Sequence, residues 1–156
     1  MALARVLPPA QALAVVDASI SHAESEAFDV RMLREHAAGQ QNRRGKARLR
    51  WLWDRADGRS ESPAESISRA VIEWTGFEQP ILQRGFFYEG QRDRVDFWFR
   101  SCDAIGEADG WQKYGLGEPN EAARRLANEK RREDRLRRQG HPFARCLLYT
   151  SPSPRD

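Results

Sequence analysis

Residues 81–110 read ILQRGFFYEGQRDRVDFWFRSCDAIGEADG, and the architecture follows from this stretch. Ile81 to Tyr88 and Arg94 to Phe99 are rich in aromatic and β-branched residues, with Gly90 between them, which predicts two strands of a hairpin. Asp103 to Glu107 predicts a third short strand, and Gly110 to Gly117 a glycine-containing loop. Pro119 then starts a long helix, Asn120 to Gln139, ended by Gly140, and His141 to Arg145 begins a fourth strand. Upstream, Ser62-Pro63-Ala64-Glu65 opens a helix that runs to about Trp74 and closes at Gly76. Ser62 is its N-cap, Pro63 its first residue and Glu65 its third, the spacing of a capping box. The order α-β-β-β-α-β predicts an α/β fold with a small mixed sheet flanked by helices.

An α-helical segment precedes it. Ala10, Leu13, Ala14, Val16 and Ile20 share a helical stripe behind Pro9. Glu26 to Ala38 predicts a second helix stopped by Gly39, and Gln40 to Gly45 a polar link. Lys46 to Arg55 predicts a third helix, with Leu49, Leu52 and Trp53 facing inward and Asp57-Gly58 ending it. There is no internal repeat.

The 156 residues leave room for one sizeable core. No apolar run approaches a membrane span. The N-terminus is split by Pro8-Pro9 and does not read as a signal peptide. Cys102 and Cys146 cannot build a disulfide framework, so a cytoplasmic location is expected. Lys46, Lys113 and Lys130 are the only lysines among 26 cations, a composition that hints at a GC-rich coding genome. The net charge of +3 is unevenly spread, with an acidic centre between basic flanks. Basic flanks can hold a polyanion, and clustered carboxylates a cation.

Three segments carry the acids of interest. Glu65 is on the helix before the sheet, Asp96 on the second strand, and Glu107 and Asp109 at the end of the third. Two residues apart, Glu107 and Asp109 project to one face if the strand continues. Asp96 lies among Val95, Phe97, Trp98 and Phe99, where an unpartnered charge is costly; a divalent cation would be a partner. Lys113 follows four residues after Asp109 and can reach back over the loop. Plainer readings stand beside these. Asp96 could pair with Arg94 or Arg84, Glu107 and Asp109 could cap a turn at Gly110, and Glu65 could serve only its capping box, with Glu61 a weaker alternative. His22, His36 and His141 lack metal-ligand spacing and read as surface residues. The tryptophans read as core, Trp111 in the loop excepted.

Four segments together resemble a known group: Ser60-Glu61-Ser62-Pro63-Ala64-Glu65-Ser66, Arg94-Val95-Asp96-Phe97, Glu107-Ala108-Asp109-Gly110-Trp111-Gln112-Lys113-Tyr114, and Asn128-Glu129-Lys130-Arg131-Arg132-Glu133-Asp134-Arg135-Leu136. They are similar to the C-terminal domain of bacterial proteins, many actinobacterial, described as AbiEi-family antitoxin-domain-containing or as endonuclease-domain proteins. That domain resembles very-short-patch-repair endonucleases of the PD-(D/E)XK restriction-endonuclease-like superfamily. The order and spacing of the motifs carry the resemblance, since each alone is weakly specific. It implies a DNA endonuclease in which Asp96 and Glu107 hold Mg²⁺ or Mn²⁺. Asp109, Lys113 and Glu65 would complete the catalytic set. Position 109 is Asp where the pattern has lysine, which puts the lysine's role in doubt at that step and points to Lys113. The alternative is a catalytically inactive DNA-binding or antitoxin-associated module.

The resemblance divides the chain into a helical linker region, 1–59, and a restriction-endonuclease-like domain, 60–145. The group commonly carries an N-terminal winged-helix-like domain that has no counterpart here, so a fragment is expected. Residues 146–156, CLLYTSPSPRD, resemble the translation of a transposase-type sequencing adapter. The expectation is a tail with few core contacts, of which 146–149 could extend the last strand because they are apolar.

Two basic stretches bear on nucleic acid. On the long helix, i,i+4 charge pairs predict a solvated face, and Lys130, Arg131 and Arg135 are candidates for phosphate contact. Arg43, Arg44, Lys46, Arg48 and Arg50 form a second patch with the same two readings.

Overall fold

The computed structural model describes residues 2–21, 27–110 and 119–148. The chain divides into two compact units, Met1–Gln79 and Pro80–Asp156.

The first unit is helical: α1 (Ala2–Val6), α2 (Pro9–Ser19), α3 (Val30–Gly39), α4 (Lys46–Arg55) and α5 (Pro63–Trp74). Helices α4 and α5 have the expected bounds and α2 the expected start, because Pro9 and Pro63 sit at first helical positions and Ser62 caps α5. Helix α3 begins later than Glu26, because Asp29 is its N-cap and accepts the Arg31 N–H at 2.7 Å. Helix α1 was not expected, and the chain turns extended at Pro8 before α2. Leu13, Val16, Leu49 and Leu52 form the core, closed by alanines that let the helices approach. Helix α5 packs on α2, so it belongs with the N-terminal helices. An ion pair is buried there. Arg69 donates to Asp17 at 2.8 Å, and Asp17 also accepts the Asp57 N–H at 2.9 Å.

The second unit is a four-stranded mixed sheet in the order β1-β2-β3-β4. Its strands are β1 (Ile81–Tyr88), β2 (Gln91–Phe99), β3 (Ala104–Gly110) and β4 (Phe143–Leu148). Strands β1, β2 and β3 are antiparallel neighbours, and β4 runs parallel to β3. A parallel pair needs a crossover, supplied by α6 (Pro119–Arg138). The β1–β2 turn is Glu89-Gly90, both at positive φ (53° and 73°), as a two-residue hairpin turn requires. Asp103 also has positive φ, so β3 starts at Ala104.

Leu136 of α6 is buried against Val95 and Ile105, which seats the helix on the sheet. His141, expected at the surface, is buried. Its ring nitrogens lie 2.9 Å from the Tyr88 hydroxyl and 3.0 Å from the Asp103 carbonyl oxygen. Cys146 to Leu148 continue β4 beside Ala108 to Gly110, while 149–156 lie outside the described residues. Among the described residues no helix is long and apolar enough to cross a membrane.

Candidate functional site

Asp96 sits at a break in the sheet. The β1–β2 pairing passes from Leu82↔Phe97 to Arg84↔Val95 and omits the rung of Gln83 and Asp96. Gln83 has a left-handed φ of 55°. On the other side, β2–β3 pairing ends at Phe97↔Gly106. The Asp96 carboxylate takes the next position itself, accepting the Ala108 N–H at 2.9 Å. Irregular rungs of this kind re-aim a side chain, and this one ties Asp96 to the residue beside Glu107.

Three further acids on the sheet are buried, and each meets an arginine. Asp93 of β2 accepts two 2.7 Å hydrogen bonds from Arg135. Glu107 of β3 accepts one at 2.8 Å from Arg132, whose guanidinium also donates to the Arg94 carbonyl at 2.7 Å. Asp109 accepts one at 2.6 Å from Arg145 of β4, which bonds Glu133 of α6 at 3.0 Å as well. Parallel pairing sets Arg145 beside Glu107 in register, which brings it within reach of Asp109. Arg132, Arg135 and Leu136 fall on one face of α6 by their three- and four-residue spacing, so the seating of Leu136 delivers both guanidinium groups.

These pairings set the charge states. Burial pulls the Arg132 pKa down, but the Glu107 hydrogen bond and the charges of Glu107, Asp96 and Asp93 outweigh it and hold the pKa above its ordinary value. Arg145 follows the same balance, its burial outweighed by Asp109 and Glu133. Burial likewise raises the Glu133 pKa, and hydrogen bonds from Arg137 and Arg145 turn the net shift downward. Both arginines therefore stay charged at any working pH. One guanidinium, that of Arg132, is shared electrostatically by Asp96, Glu107 and Asp93.

The predicted site residues are thus brought together in part. Asp96, Glu107 and Asp109 share the β2–β3 edge of the break. Glu65 belongs to the helical unit, where its carboxylate accepts the Glu61 N–H at 2.9 Å and the Ser62 hydroxyl at 2.8 Å. Its observed contacts are those of the capping box. Lys130 and Arg131 are exposed on α6, whereas Arg135 turns onto Asp93. Lys113 and Trp111 lie outside the described residues. Sequence reading missed Asp93, Arg132 and Arg145 as members of the cluster. The signal available for the first two was the helical spacing of Arg132, Arg135 and Leu136; nothing local marked Arg145.

No protein-family model, curated protein or solved structure matches this chain. Among the described residues no group of three or more His, Cys, Asp or Glu is arranged to hold a metal ion. The pair Asp96 and Glu107 nevertheless suits a hard cation. Both are oxygen donors; Glu107 hydrogen-bonds the Arg132 guanidinium, and the Asp96 carboxylate accepts the N–H of the neighbouring Ala108.

Proposed function

We propose that the Pro80–Asp156 unit is a restriction-endonuclease-like module that hydrolyses DNA phosphodiester bonds with Mg²⁺ or Mn²⁺. The observation that carries this reading is the hydrogen bond from the Ala108 N–H to the Asp96 carboxylate at 2.9 Å, which ties that acid to the residue beside Glu107. Those two carboxylates would hold the ion, in competition with the Arg132 guanidinium on Glu107. The chemistry supplied by the bound ion is charge stabilisation at the phosphoryl oxygen and acidification of a water molecule. The Ala108 N–H fixes the Asp96 carboxylate, and Arg145 fixes that of Asp109. Lys113 orients the attacking water or neutralises the phosphate. Lys130 and Arg131, exposed on α6, contact backbone phosphates.

A second reading has its own observation. Asp93, Glu107 and Asp109 each already have an arginine counter-charge, which favours a catalytically silent DNA-binding module. A plasmid-nicking assay of the full chain separates the two. The nuclease reading expects cleavage with Mg²⁺ or Mn²⁺, its loss with chelator, and its loss in Asp96→Ala and Glu107→Ala with DNA binding retained. Binding that persists in the unmutated chain without any metal-dependent cleavage selects the silent module.

A further inference from the structure

The helical unit carries a basic cleft that the nuclease reading does not use. It has a volume of about 430 Å³ and is lined by Arg5, Arg34, Lys46, Arg50, Trp53 and Asp54, with Leu49 and two alanines at its base. A volume of that order suits a ligand the size of one nucleotide.

Among the described residues the charge in this cleft is balanced only in part. Arg34 and Asp54 are 3.6 Å apart and compensate each other. Lys46 and Arg50 are exposed and form no hydrogen bond or ion pair among the described residues. Arg5 is 8% exposed, yet among the described residues its guanidinium donates only to neutral acceptors. These are the Arg44 carbonyl at 2.5 Å, the Ala37 carbonyl at 3.2 Å and the Gln40 side-chain oxygen at 3.1 Å. Its Nε is buried and meets no acceptor among the described residues. A buried cation without a counter-charge is expensive, and an incoming anion removes that cost.

Helix α4 aligns the other groups. Lys46, Arg50 and Trp53 are spaced i, i+4 and i+7 and so lie along one stripe. Lys46 is also the first residue of α4, where the helix dipole favours negative charge. Arg48, on the same helix, is not part of this surface: its guanidinium donates to the Arg5 and Leu7 carbonyls at 3.0 and 2.8 Å and ties α1 to α4. Trp53 is half-buried, with its inner part on the core and the remainder on the cleft.

We infer that this cleft binds a nucleotide unit, its phosphate held by Arg5, Lys46 and Arg50 and its base laid on Trp53. Cations tracking a backbone beside an aromatic platform are the means by which single strands are held without sequence preference. The same chemistry would also accept a free nucleotide. The inference is independent of the Asp96–Glu107 site and does not require cleavage.

The test is calorimetric titration of the full chain with inorganic phosphate, a nucleoside 5′-monophosphate and an oligothymidylate. The chains compared are the unmutated protein, the double variant Lys46→Glu with Arg50→Glu, and the double variant Lys130→Glu with Arg131→Glu. The cleft variant should bind about tenfold more weakly or worse, and its salt slope should fall by about two. The α6 variant should keep the cleft's binding of the mononucleotide. Equal gain from mononucleotide and oligomer identifies a free nucleotide as the ligand; binding of the oligomer alone identifies a strand. Lys46→Gln with Arg50→Gln, which keeps the stems and removes the charge, replaces the reversal if circular dichroism shows that it unfolds. Unchanged affinity for all three ligands in a folded cleft variant would overturn the inference, as would an unmutated chain that binds none of them.

Discussion

Arg132 of α6 and Glu107 of β3 form a 2.8 Å ion pair whose carboxylate is buried and whose guanidinium is about one-quarter exposed. This contact joins the crossover helix to the sheet and neutralises an acid that the nuclease reading needs for a metal. The same arginine is therefore a structural tie and a competitor for the proposed ion.

Arg132→Met separates these two roles. Leaving Glu107 buried without its partner should cost roughly 2–4 kcal/mol, towards the low end for a broken buried pair because the arginine is partly solvated. Thermal melts with and without Mn²⁺ then read the site. The variant should gain more stability from the ion than the unmutated chain does. Equal, negligible shifts in both would count against Asp96 and Glu107 as ligands.

In the helical unit, Asp17 and Arg69 are both buried, at 1% and 8% side-chain exposure. Asp17→Ala strands the arginine and also removes the acceptor of the Asp57 N–H. Urea unfolding should show a loss of about 3–5 kcal/mol. Replacing both partners by apolar residues should restore much of that loss, since the desolvation cost of both charges is then gone.

The pairing of Glu73 with Arg55 gives acid sensitivity a definite sign. The Arg55 hydrogen bond first, and its charge next, hold the Glu73 pKa below its ordinary 4.5, with burial opposing them. A depressed carboxylate contributes stability that is fully present above its unfolded value and is lost as pH falls through the lower folded value. Glu73→Gln should therefore unfold at lower urea concentration than the unmutated chain near neutral pH. The difference should narrow as pH drops below 4.5. A gap that stays constant down to the acid limb would refute the assignment.

On α6, the exposed cations and the inward one should behave differently. Lys130→Ala with Arg131→Ala should leave the melting temperature unchanged and reduce the salt slope of DNA binding by about two. Arg135→Ala should lower the melting temperature, because Asp93 is buried beneath it. The reverse pattern would move the phosphate contacts from Lys130 and Arg131 to Arg135.

Much of the secondary structure was legible because its signals are local. Ser62 with Pro63 and Glu65 marks the start of α5, and Glu89-Gly90 closes the β1–β2 hairpin by a backbone conformation that glycine favours. The same locality explains the misses. The start of α3 depended on which residue capped it, and His141 is buried only because Tyr88 and Asp103 come to it from other strands.

The sequence by itself determined the helical first half, the hairpin, the long helix between the third and fourth strands, and the placing of Asp96, Glu107 and Asp109 on the second and third strands. Only tertiary structure decided which cation each acid meets. Arg132 and Glu107 are 25 residues apart, and Arg135 and Asp93 are 42. Such pairs follow from strand register and from the seating of Leu136, which no local pattern encodes. The same holds for Asp96, whose carboxylate faces Ala108 because two ladders lapse at one rung. Propensity and capping act over a few residues, whereas charge pairing acts through space and is settled only once the sheet has closed.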